Sequence, residues 1–278
     1  MGKNAIKDEH SGSLGKSLKT LFSAIVIPVA LVVGILIFYF VMGNSMNFVE
    51  GNPAKGALPG NYLGIIYKGG FIVPILMCLL ITVITYSIER FITITRASGR
   101  GSVVSFVRKI KQFLSNGDID GAMASCDKQK GSVANVIKSA LVKYKNVETE
   151  TGMDKEQKIL AIQKEVEEAT SLEMPSLEQN LVILATITSI ATLMGLLGTV
   201  LGMIRAFGAL ASAGSPDSIA LATGISEALI NTAFGIGTAA FAVIMYNVFT
   251  TKIDKLTYSI DEAGFSIVQT YAATHKNN

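Results

Sequence analysis

Tryptophan is absent, and histidine and cysteine occur only twice each among the 278 residues. His10 and His275 sit in the terminal tails, while Cys78 and Cys126 fall in an apolar run and in a polar block. The sequence therefore offers neither a Cys/His metal site nor a disulfide, and no cofactor is expected. Acid–base catalysis is equally poorly supplied, so the chain is not expected to be an enzyme. Charged residues are scarce as well, at 16% of the chain. A soluble domain carries nearer a quarter.

What the sequence does hold is apolar residues, at 50% of the chain and gathered into four long runs. These are Leu21–Met42, Phe71 to about Ile94, Leu181–Phe207 and Ile219–Thr250. Each covers the roughly 20 residues that a bilayer core requires. Glu89 and Arg90 interrupt the second near its end, and Glu227 lies inside the fourth. The fold class expected is an all-α membrane protein with four transmembrane helices, the last two long and extended into a helical cytoplasmic domain. A cleaved signal peptide is the alternative for the first run, behind Lys3, Lys7, Lys16 and Lys19. Its length exceeds a signal core and no small-residue cleavage site follows, so it is taken as a membrane helix.

Lysine and arginine set the orientation, because they favour the cytoplasmic side. They collect in the leading tail, at Arg96–Lys111 and again at Lys252 and Lys255, and are missing from Gly208–Ser218. Both termini and the polar block fall inside. The segments follow: cytoplasmic tail 1–20, transmembrane helix 21–43, periplasmic loop 44–70, transmembrane helix 71–95, cytoplasmic helical domain 96–179, membrane helix 180–207, periplasmic loop 208–218, membrane helix 219–250 and cytoplasmic tail helix 251–278. Within the cytoplasmic block, apolar stripes of helical period predict helices broken at Asn116-Gly117-Asp118 and Lys130-Gly131-Ser132, with a third from Asp154 to Glu173. Residues 12–17, GSLGKS, end like a phosphate-binding loop, but His10 replaces the required first glycine and no strand precedes them.

The last two runs carry the informative pattern. Thr188, Thr192, Gly195, Thr199 and Gly202 share one helical face, and Ala228, Thr232, Gly235, Ala239 and Ala242 repeat that spacing. Gly224, Glu227, Asn231 and Thr238 form a second polar stripe beside them. Small residues such as Gly195, Gly198, Gly202 and Gly235 let membrane helices approach closely, so packing explains part of the stripe. A carboxylate inside a span points further, because such groups face a bundle interior or a water path. Glu227 either lines such a path or pairs with Arg205. One carboxylate with threonines makes an incomplete proton relay, since hydroxyls orient water without titrating near neutral pH. Either Glu227 titrates, or a partner supplies the carboxylate.

The stretch ILATITSIATLMGLLGTVLGMIRAF at Ile183–Phe207 resembles the ExbB/TolQ/MotA proton-channel family, above all in its GLLGTVxGM core. GISEALINTAFGIGTAAFAVIMYNVF at Gly224–Phe249 resembles the ExbB version. The resemblance implies a homo-oligomer, a pentamer, whose last two membrane helices line a pore around an ExbD/TolR-like single-span protein with a membrane aspartate. A TonB-like protein would take up the work, and membrane lipids rather than nucleic acid would surround the assembly. The pore residues implied are Thr199 and Thr232, with Glu227 as the intramembrane glutamate and Asn231 and Thr192 beside them. Two departures stand out: Thr192 and Phe241 occupy positions where many relatives have proline. The first helix is an addition to the three-span core.

Overall fold

The computed structural model describes residues 25–212 and 218–275. The leading tail with GSLGKS and His10, the first residues of run 21–43, residues 213–217 and Asn277 lie outside the described residues. Among the described residues the regular structure is helical, with one isolated bridge between Phe48 and Ala57. Four helices are long and apolar enough to cross a membrane. The protein is a multi-pass, all-α membrane protein.

In chain order the helices are α1 (Ile25–Met42), α2 (Tyr62–Tyr67), α3 (Ile72–Ala97), α4 (Val103–Ser115), α5 (Ile119–Gln129), α6 (Gly131–Thr149), α7 (Lys155–Glu178), α8 (Leu181–Ser212) and α9 (Ser218–Thr274). They divide into two units. One comprises the chain up to Ser87 with Ile183–Tyr246, and the other Ile88–Val182 with the chain from Asn247 onward.

In the first unit α1 ends as a π-helix over Ile37–Met42. Buried Asn47 stops it by donating from Nδ2 to the carbonyls of Val41 (2.7 Å) and Met42 (2.9 Å), groups that a helix end otherwise leaves unpaired. The following segment, expected only as a loop, is folded. Three 3₁₀ turns at Ser45–Asn47, Val49–Gly51 and Pro53–Lys55 lead into α2, and Asn61 caps α2 through the Gly64 N–H (3.1 Å). Tyr67 at the end of α2 stacks on Phe38 of α1 with centroids 4.6 Å apart. Phe38, Met42, Val73 and Met77 form a buried cluster, with Phe234 of α9 packed against it. α8 continues through Ser212, so the expected loop at 208–218 begins as helix.

The second unit builds a helical core from amphipathic faces. Phe106, Val107, Ile110 and Leu114 of α4 and Val133, Val136, Ile137, Ala140, Leu141, Tyr144 and Val147 of α6 are all buried. α4 and α5 are separated at residues 116–118, where Asp118 caps α5 through the Gly121 N–H (2.8 Å), and α5 and α6 at Lys130. α7 opens with a capping box between Asp154 and Gln157 and runs through Pro175 to Glu178. Gly264 of α9 lies against Val166 of α7, and Tyr144 meets Tyr271 edge-on at 4.8 Å.

The end of α7 explains the charged pair that interrupts the second apolar run. Arg90 is 2% exposed and donates from Nη1 to the carbonyls of Ser176 and Leu177 (3.2 Å each). Its Nε and Nη2 hold both oxygens of Glu89 at 2.5 Å, and Thr93 and Asn180 donate to the same carboxylate. A guanidinium at a helix C-terminus satisfies orphan carbonyls and suits the negative end of the dipole. Just beyond, Asn180 has φ +66 and divides α7 from α8. α9 by contrast continues unbroken to Thr274, and neither Thr192 nor Phe241 interrupts its helix.

Candidate functional site

α8 and α9 meet along their small residues. A methyl group added at Gly235 would fall 2.6 Å from the Ala191 carbonyl oxygen and 2.8 Å from Gly195 Cα. One at Gly195 would lie 3.1 Å from Gly235 Cα, and one at Gly202 would lie 2.9 Å from both Ala228 N and Gly224 O. Without a hydrophobic drive inside lipid, such backbone approach supplies the dispersion contacts that hold membrane helices together. Gly198 has a different neighbour, because a methyl there would meet the Asn231 side chain at 2.5–2.8 Å.

This close approach brings two of the five candidate pore residues together. The hydroxyls of Thr199 on α8 and Thr232 on α9 are hydrogen-bonded to each other. Thr199 Oγ1 is also within 3.3 Å of the carbonyls of Gly195 and Ala228, and Thr232 Oγ1 is 3.5 Å from the Gly195 carbonyl. Both threonines are partly buried. Thr192 does not join them: it is exposed on α8, and its hydroxyl donates to the Thr188 carbonyl (3.1 Å). Both facing carbonyls and paired hydroxyls can hold a water or accept from a protonated acid, but none of these groups releases a proton itself.

Glu227 and Asn231, one helical turn apart, form a second cluster. Glu227 is 8% exposed and its carboxylate is paired with Nη1 of Arg205, whose side chain is half exposed. The Arg205 guanidinium also lies 5.5 Å from the ring centroid of Phe71, within cation–π range. Asn231 is fully buried and donates from Nδ2 to the Gly69 carbonyl (2.9 Å). The part played by the Gly69–Gly70 turn carries no signal in the motif spacing. Only the placement of two glycines directly before an apolar run hints at it.

The described residues thus form a multi-span helical protein whose last two membrane helices pack through glycine and face each other with hydroxyls. Residues 128–262 match the sequence profile of the MotA/TolQ/ExbB proton channel family. The match takes in α6 to α8 and α9 as far as Glu262, and therefore both threonines. The chain is 32% identical over 124 residues to the Tol-Pal system protein TolQ of Pseudomonas aeruginosa, covering 45% of this chain and 54% of that one. It is 37% identical over 86 residues to the biopolymer transport protein ExbB of Pseudomonas putida, covering 31% and 26%. An ExbB homologue of Methanothermobacter thermautotrophicus is 27% identical over 200 residues, covering 70% and 65%. Against TolQ proteins the chain spans about half the length or less, 54% in one case and 39% in another.

Proposed function

We propose that this chain is the proton-channel subunit of an energy-transducing assembly in the inner membrane of a double-membraned bacterium, with both termini cytoplasmic. Five copies surround the membrane helices of an ExbD/TolR-like partner, whose aspartate takes up and releases protons against the wall formed by Thr199 and Thr232. Proton flow moves the partner helices, and a TonB-like protein carries the work to outer-membrane transport. The observation that carries this reading is the hydroxyl pair of Thr199 and Thr232 across the α8–α9 contact, within the matched family stretch.

A TolQ-like role in envelope maintenance is the second reading, favoured by the match to proteins of that name. A non-conducting helical scaffold is the third, favoured by the ion pair that occupies Glu227. The chain purified from native membranes should bring down a small single-span protein with one membrane aspartate. A stable, proton-conducting assembly containing this chain alone would contradict the proposal.

A further inference from the structure

The Gly69–Gly70 turn, immediately before α3, is met by three side chains from α8 and α9, of which Asn231 is hydrogen-bonded to it. Gly70 has φ +75, a conformation that favours glycine, and a side chain there would run into the Glu227 carboxylate and come within 3.4 Å of Arg205 Nη1. Asn231 donates to the Gly69 carbonyl, and its own Oδ1 lies 3.0 Å from where a Gly69 side chain would begin. Arg205 continues the contact to Phe71 on the far side of the turn. The turn is also the end of a packed route. Tyr67, two residues before it, stacks on Phe38 of α1, and Val73 after it shares a cluster with Phe38, Met42 and Met77.

We propose that Glu227, Arg205 and Asn231 form a net-neutral clamp on the Gly69–Gly70 turn, so that Glu227 is a positioning residue for α9 and carries no proton. The clamp ties α1 and the folded outer segment to α9, the helix that presents Thr232. The clamp needs the pair to be neutral and hydrogen-bonded, and does not need it to be ionic. Removing one member of a partly buried pair strands the other charge, whereas replacing both by neutral groups is often tolerated.

The test rests on the proton-channel reading for its readout, which is proton flux in vesicles holding the chain with its co-purified partner. Arg205→Gln alone should lower flux about tenfold by stranding the Glu227 charge. The double variant Glu227→Gln with Arg205→Gln should restore flux to within about twofold of the parental complex, since the amides can still pair. An assembled double variant without flux would show that Glu227 carries the proton and would overturn the clamp. Gly70→Ala leaves every titratable group in place, and should lower flux at least about fivefold while speeding amide exchange over residues 69–73. Parental flux in Gly70→Ala would also overturn it, including when the double variant fails to assemble. Absence of flux in the parental complex would instead count against the proton-channel reading.

Discussion

Thr199 and Thr232 pair their hydroxyls across the α8–α9 contact. Each hydroxyl has carbonyl acceptors within reach and the other hydroxyl as a partner, so neither is stranded. Their replacement by valine would keep the shape of the α8–α9 contact and delete only the polar surface. Cys126 is the opposite kind of residue, a free thiol with no room for chemistry. Burial, reinforced by Asp127, pushes its pKa from 9.0 up to about 12. The folded protein thus keeps a proton that the unfolded chain has already lost. Stability is unaffected below about pH 9 and declines as pH rises from about 9 towards about 12. Denaturation of the detergent-solubilised protein across that range should show this decline, and Cys126→Ala should reduce it. An identical alkaline loss in Cys126→Ala would mean that the thiol is not its source.

Among the elements, the α8–α9 pair depends most directly on sequence. Gly195 and Gly235 face each other with no space for a side chain, so Gly235→Leu should separate the helices and abolish recovery of assembled complex from membranes. Full recovery of a Gly235→Leu complex would contradict the close packing. α7 is a milder case: losing the Asp154 cap by Asp154→Ala should cost about 1 kcal/mol, measured by denaturant unfolding of the full chain. The long helices and their glycine stripes were legible in the sequence because both follow from local periodicity. So were the breaks at residues 116–118 and at Lys130, where turn-forming residues interrupt the apolar stripes. The fold of residues 44–61, the Arg90 cap on α7 and the Asn231 contact with Gly69 were not. Each depends on a backbone carbonyl far away in the chain, or on turns without hydrophobic period, and neither leaves a mark on spacing.

Across the whole molecule, four helices are long and apolar enough to cross a membrane, and the described residues hold no group of three or more His, Cys, Asp or Glu side chains that could bind a metal. The chain supplies hydroxyls and an occupied carboxylate, so the account requires the titrating acid to come from a partner. That requirement is tested most directly by proton flux through vesicles containing the chain with its co-purified partner, comparing the parental protein with Thr199→Val and Thr232→Val. The account predicts that both variants assemble normally and that each lowers flux at least about tenfold, the loss expected when a positioned hydrogen bond is removed. Parental flux in both variants would contradict it and return Thr199 and Thr232 to helix packing.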